Sequence, residues 1–210
     1  MKLSKIVRCL LIFVTLYLLF ILINNSFDKE GIDDNIIYIK DFLSPEDYQK
    51  VSTLNKSLSD FTFESFRYSK PLHNEEVYNI FYNQKYIQKI NKFIINHIHP
   101  SEFPIEHRFY LHNSPGMKWH KDLLMYQKPQ YEAIFTINNN TKSVTKWEDK
   151  YKQIHEIWTE PNSILIVKAD NYIHHVTPPE IGIREILKII YTQTDDKHPN
   201  YFKEMKRFNK

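Results

Sequence analysis

The pattern of hydrophobic positions changes character three times along the chain. Residues 6–23 are apolar, with only Arg8 interrupting near one edge, and no polar face develops at any period. A polar stretch at 26–35, containing Gly31, then breaks the pattern and marks a boundary. Ile36-Ile37-Tyr38-Ile39 reads as a short strand. Ser44-Pro45-Glu46-Asp47 carries the signature of a helix start: a capping serine, proline at the first helical position and acids in the first turn. The helix it opens is predicted to run to about Leu58. Residues 59–75 read as irregular, with a strand near 61–66. From 76 to 97, Val77, Ile80, Phe81, Ile87, Ile90, Phe93 and Ile94 recur at spacings of three and four. They predict a second helix lying across the outside of a sheet, ended by Pro100 and Pro104.

From residue 107 onward the period shortens. Strands are predicted over 107–112, 117–120, 132–137, 153–158, 163–168, 172–176 and 185–192, separated by turns such as Ser114-Pro115-Gly116 and Glu160-Pro161-Asn162. Many short strands at regular spacing read as a sandwich or a barrel. The charged, Lys-rich tail 193–210 reads as a surface segment.

Bulk properties narrow this picture. A chain of 210 residues with 42% hydrophobic content builds one domain with a core, and its length argues against two. A net charge of +3 without a clustered basic face argues against a nucleic-acid partner. The single cysteine, Cys9, excludes an intrachain disulfide, so the fold must stand on packing. The N-terminal apolar run falls just short of the roughly 20 residues that cross a bilayer, and no small-x-small cleavage pattern follows it. It reads as an uncleaved signal anchor, with residues 1–25 forming the cytoplasmic end and transmembrane helix and 26–35 a linker. Lys2, Lys5 and Arg8 precede the run, which leaves that end cytoplasmic and the domain luminal or extracytoplasmic, a type II single-pass arrangement. Asn-x-Ser/Thr sequons at Asn24, Asn55 and Asn139 permit that placement.

The chemical signal centres on His120-Lys121-Asp122, read with His174 and Arg184 downstream. Two imidazoles and one carboxylate are the ligand set of non-haem Fe(II) oxygenases, leaving positions open for co-substrate and O₂. No other His or Cys cluster in the sequence suggests zinc. Two residues apart at a strand end, His120 and Asp122 can turn toward one point. The third ligand is His174 or His175, since neighbours on a strand face opposite ways. Arg184 offers an always-charged fork suited to a carboxylate. The pair His73-Asn74-Glu75 repeats the His-x-carboxylate spacing outside the β-region and reads as bland.

From Phe109 to Thr192 the chain resembles the 2-oxoglutarate- and Fe(II)-dependent oxygenase superfamily, in its prolyl 4-hydroxylase-like branch. The resemblance rests on Gly116-Met117-Lys118-Trp119-His120-Lys121-Asp122, on His174-His175-Val176-Thr177-Pro178 and on Gly182-Ile183-Arg184. Residues 36–46 resemble that branch's opening strand and helix. The resemblance implies a mainly β fold with flanking helices, a double-stranded β-helix (jelly roll) with its core at about 106–192 in an oxygenase domain of 36–210. It selects His174 over His175, because the pattern His-x-Val-x-Pro with an arginine ten residues on fits only His174. It further implies Fe(II) held by His120, Asp122 and His174, 2-oxoglutarate anchored by Arg184 and bonded by Tyr110, O₂ as oxidant, and ascorbate as an accessory. Thr136 and Tyr191 are weaker inward-facing candidates. The activity implied is hydroxylation of a side chain in an unknown protein or small-molecule substrate, with 2-oxoglutarate decarboxylated to succinate. Collagen-type prolyl hydroxylases carry Lys where this chain has Arg184, which weakens an inference to proline. The superfamily's nucleic-acid demethylases carry a second arginine where this chain has Ile190. A jelly roll that kept its shape and lost turnover is the alternative reading. Substrate choice is expected from loops 59–75, 123–131 and 141–152.

Overall fold

The computed structural model describes residues 35–112 and 114–208. The expected anchor and nearly all of the linker lie outside the described residues, as do Cys9 and the Asn24 sequon. Among the described residues no helix is long and apolar enough to cross a membrane.

Strand β1 (Ile36–Ile39) sits where the sequence placed it, and all four residues are buried. Alternation explains why: Ile37 and Ile39 join the larger core, while Ile36 and Tyr38 face a second one. Helix α1 (Pro45–Ser52) opens on Ser44, whose side chain accepts from the Asp47 N–H. It stops six residues before the expected Leu58, as Thr53 turns its hydroxyl back onto the Lys50 carbonyl and a polar run follows. The predicted long helix is two: α2 (Glu75–Phe81) and α3 (Gln84–Asn91). Asn83 divides them, its side chain accepting from the Lys85 N–H as a fresh cap. The apolar stripe runs through both pieces because both pack on one core, where Phe42 and Phe81 meet Phe135 and Tyr86 packs on Phe42. Beyond Asn91 the chain is irregular, held by the Asn91 side chain against the Ile98 N–H.

Ten further strands follow β1: β2 (Thr62–Glu64), β3 (Arg67–Pro71), β4 (His99–Pro100), β5 (Glu106–Leu111), β6 (Met117–His120), β7 (Tyr131–Asn139), β8 (Thr145–Glu148), β9 (Ile154–Ile157), β10 (Ser163–Lys168) and β11 (His174–Val176), before a last one, β12 (Ile183–Thr192). They form two antiparallel sheets. The larger runs β1-β10-β7-β12-β5-β3-β2, with β4 beside β12; the smaller runs β6-β11-β8-β9. One face of the larger sheet carries Ala133, Phe135, Ile164, Ile166, Leu187 and Ile189 into the core shared with the helices. The opposite face, with Leu165 and Val167, looks toward Trp147 of the smaller sheet. The mainly β architecture with helices at its side is the expected one.

Several elements differ from the sequence expectation, among them β3, β8, the two-residue β4 and a C-terminal helix. Strands β3 (RYSKP) and β8 (TKWE) carry charge and proline, and only alternate residues are buried. The tail 193–210 is not simply a surface segment. Helix α4 (Pro199–Met205) buries Tyr201 against Phe103, Tyr126 and Ile190, so aromatic residues dock a stretch whose lysines suggested solvent. Asn139 is also removed from the plausible sequons: it is 4% exposed and its amide donates to the Thr159 carbonyl.

Candidate metal centre

β6 ends at His120 and β11 begins at His174, and the two residues are direct register partners across the pair. Their rings lie 4.4 Å apart. Asp122 follows just beyond the end of β6, so its carboxylate swings back: Oδ1 is 3.7 Å from His120 Nε2 and Oδ2 is 3.5 Å from His174 Nε2. Among the described residues this is the one group of three such side chains whose ligand atoms all lie within 4.8 Å. Both imidazoles are oriented from behind. His120 Nδ1 stands 2.7 Å from the Lys118 carbonyl and His174 Nδ1 3.1 Å from that of Tyr172. A carbonyl only accepts, so Nδ1 carries the proton and the Nε2 lone pair is left pointing at Asp122. His120 Nε2 is buried and makes no hydrogen bond. Burial first, and then the neighbouring His174, push the His120 pKa down, which keeps it neutral and able to ligate. A bare Nε2 lone pair and a carboxylate are both acceptors, so at 3.5–3.7 Å they form no hydrogen bond with one another. They fit a cation between them, since adjacent ligands about 2.1 Å from a hard cation are about 3 Å apart.

Gly116 makes the approach of β6 to β11 possible. Its φ is +70°, and a Cβ there would overlap the Val176 carbonyl oxygen and crowd Pro178 N. Gly116→Ala is therefore expected to separate the two histidine-bearing strands, weakening metal affinity by about tenfold or more, within the range seen when groups that orient ligands are lost; metal titration by calorimetry checks it. His175 faces the other way and packs on Trp119, ring centroids 4.2 Å apart, whereas His174 is the one of the two that stands beside His120 and Asp122. His73 is exposed, and its neighbour Asn74 caps α2.

The triad opens into a cavity of about 240 Å³ between the sheets, lined also by Tyr110 and Arg184. Arg184 is 2% exposed. Its Nη2 donates to Thr159 Oγ1 at 3.3 Å, its Nε has no partner, and burial pushes its pKa down. Among the described residues no carboxylate forms an ion pair with it, so a buried cation stands without its counter-charge. Tyr110 is its register partner on β5. Burial would raise the Tyr110 pKa, but Arg67, Arg108 and Arg184 around it outweigh burial and lower it. Thr136 bonds Thr159 at 2.9 Å and so supports the residue that Arg184 touches. Tyr191 is not in the site: it faces the helices and donates to the Phe81 carbonyl. Each of the three expected loops reaches the cavity, through Phe66, Leu123 and Thr145.

Several wall residues had not been singled out. Lys188 and Glu132 pair at 2.5 Å, and burial, with Asp122 nearby, raises the Glu132 pKa. Arg108, in the wall, pairs at 2.8 Å with Glu106 buried beside it. Burial alone would raise the Glu106 pKa, but Arg108, Lys188, Arg207 and Arg67 together hold it down at about 2. The available signal was period two: Glu106, Arg108 and Tyr110 share one face of β5, as Arg184 and Lys188 do on β12.

The sequence matches no protein-family model and no curated protein. The fold has solved counterparts. A 2OG-Fe(II) oxygenase family oxidoreductase from Burkholderia pseudomallei aligns with a TM-score of 0.65 over 77% of this chain and 86% of its own, at 8% identity. A prolyl hydroxylase from Trichoplax adhaerens, in complex with a hypoxia-inducible-factor peptide, aligns at 0.61 over 80% and 86%, with 13% identity. HygX from Streptomyces hygroscopicus, with nickel, 2-oxoglutarate and hygromycin B bound, aligns at 0.57 over 81% and 86%, with 7% identity. The chain thus has the fold of the 2-oxoglutarate/Fe(II) oxygenases, with a His-Asp-His group at its centre. Prolyl hydroxylases are among the structures that share it.

Proposed function

We propose that this protein is an Fe(II)- and 2-oxoglutarate-dependent oxygenase that hydroxylates a substrate C–H bond. One observation carries the reading: an orphaned imidazole nitrogen beside a carboxylate and an uncompensated buried arginine open onto the same cavity. A site built only for packing has no use for either. His120, Asp122 and His174 would hold the metal through two neutral nitrogens and one carboxylate, a set suited to Fe(II) with open positions. When bound, Fe(II) and 2-oxoglutarate supply oxidative decarboxylation to succinate and CO₂, with one oxygen atom of O₂ delivered to the substrate. Arg184 holds the distal carboxylate through charge-assisted hydrogen bonds, and Tyr110 stands beside it as a further donor. The Lys118 and Tyr172 carbonyls keep both imidazoles in the ligating tautomer.

Residues 6–23 anchor this domain to a membrane, with the catalytic part on the luminal or extracytoplasmic side; the apolar run and its preceding charges support that. Related folds are seen with a peptide and with hygromycin B, so both protein and small-molecule substrates fit the class. The second reading, an inactive jelly-roll module, retains shape without a use for Arg184. The experiment is anaerobic purification of the full chain, followed by assay of iron-dependent conversion of 2-oxoglutarate to succinate on admission of air. Slow turnover even without substrate is the expected result. A folded protein that binds neither metal nor 2-oxoglutarate would sink the proposal and leave the binding module.

A further inference from the structure

The wall beside the triad identifies the kind of molecule that enters, given the oxygenase reading on which this inference rests. It spreads sideways from the row that joins the triad to Arg184. On the cavity face of the larger sheet, Arg108 lies on β5 and Arg67 on β3, with Lys188 and Glu132 on β12 and β7. Glu204 and Arg207, from the C-terminal segment, complete the lining. Arg67 pairs with Glu64 at 2.9 Å, Arg108 with Glu106 at 2.8 Å and Lys188 with Glu132 at 2.5 Å. Arg207 reaches Glu204 at 3.1 Å, Glu106 at 3.5 Å and Glu64 at 3.6 Å. Four cations thus meet four carboxylates, and Lys121, which also lines the cavity, reaches Asp170 at 3.9 Å, so each of these cations is closed by at least one acid. Arg184 alone among the cavity's buried arginines has no such acid, and the 2-oxoglutarate carboxylate answers it.

That balance decides the charge of the substrate. A ligand with net charge would leave one buried group of this wall uncompensated, which is far more costly than leaving the wall intact. An apolar ligand would cover charged groups without bonding them. A hydroxyl both donates and accepts, so adjacent hydroxyls bridge a guanidinium to its carboxylate without breaking the pair. Arginine has five N–H donors and a carboxylate about four acceptor sites, more than one mutual pair consumes. Phe66 and Phe103 line the same space and supply apolar faces. The volume, about 240 Å³, is smaller than the 300–1,000 Å³ typical of ligand pockets and is shared with 2-oxoglutarate, which favours a small ring over a bulky group at the reacting end. We infer that the substrate presents an uncharged, hydroxyl-rich ring of sugar size, read by Arg67, Arg108, Glu204 and Arg207.

The test uses the full chain loaded with Zn(II) and 2-oxoglutarate, which binds without turning over, and reads the thermal unfolding midpoint. The probes are glucose, galactose, mannose and xylose, then glucosamine and galactosamine, then glucuronate and galacturonate, then proline-containing peptides, all at equal concentration. In the wild-type protein the neutral sugars should raise the midpoint most. Arg207→Gln leaves the wall one charge negative, and should shift the affinity ratio toward an amino sugar over its neutral parent by about tenfold. Glu204→Gln leaves it one charge positive and should shift the ratio toward the uronate similarly. Both side chains are about a third exposed, at 34% and 27%, so neither exchange opens the core. Preference of the wild-type protein for a charged sugar or for peptides overturns the inference, as does indifference to every sugar while 2-oxoglutarate still raises the midpoint. If 2-oxoglutarate itself raises nothing, the oxygenase reading falls and takes this inference with it.

Discussion

Asp122→Asn is expected to lower iron-dependent turnover of 2-oxoglutarate by at least about a thousandfold, equivalent to about 4 kcal/mol of lost stabilisation. Asp122 is the single anion of the His120-Asp122-His174 group, and its two oxygens lie 3.7 and 3.5 Å from the two Nε2 atoms. Asparagine keeps the shape and offers one neutral oxygen, so the dication loses the charge that most favours it. The fold should not suffer. Asp122 lies beyond the end of β6, and its loss removes a negative charge from the neighbourhood of Glu132, whose pKa it raises. Glu132 should then ionise more readily, a small gain for its pair with Lys188. Metal titration by calorimetry separates the two outcomes: weakened metal binding with an unchanged circular dichroism spectrum is expected. Turnover within tenfold of wild type would remove Asp122 from the ligand set.

How much of this was legible in the chain follows from where the information sits. The ends of β1, β6 and β10 could be read because their residues are buried on both faces or bounded by proline-rich turns, both local facts. His120 and Asp122 could be singled out for the same reason, as one short motif at a strand end, whereas only the family resemblance separated His174 from His175. Asn83 divides a stripe whose apolar spacing continues unbroken, so periodicity alone could not see the break between α2 and α3. The C-terminal helix was hidden by its lysines, since Tyr201 finds its partners Phe103 and Tyr126 only in the folded chain. The charged wall was the least legible part. Arg108 and Lys188 look like solvated positions on alternating strands until the register of β5 and β12 turns both of them into the cavity, with Glu106 buried beside Arg108. Only pairing across strands shows that these charges are matched and that Arg184 is not.

That contrast yields the second large effect. Arg184→Met should raise the Michaelis constant for 2-oxoglutarate by about a hundredfold or more, since each hydrogen bond between charged partners is worth about 1.5–3 kcal/mol and the guanidinium offers two. The same change should not destabilise the ligand-free protein. Arg184 is buried, its Nε bonds nothing, and its contact with Thr159 is long at 3.3 Å. Replacing an uncompensated buried charge by an apolar chain of similar length removes a desolvation cost, so chemical denaturation should report unchanged or increased stability. Wild-type protein loaded with Zn(II) should gain about 2.7 kcal/mol from 2-oxoglutarate at a hundred times its dissociation constant, and the variant almost none at that concentration. A structural arginine would behave the opposite way, losing stability in the free protein while its affinity for 2-oxoglutarate stayed the same. The two measurements together therefore distinguish a residue kept for its ligand from one kept for the fold, and the missing counter-charge at Arg184 is the reason to expect the first outcome.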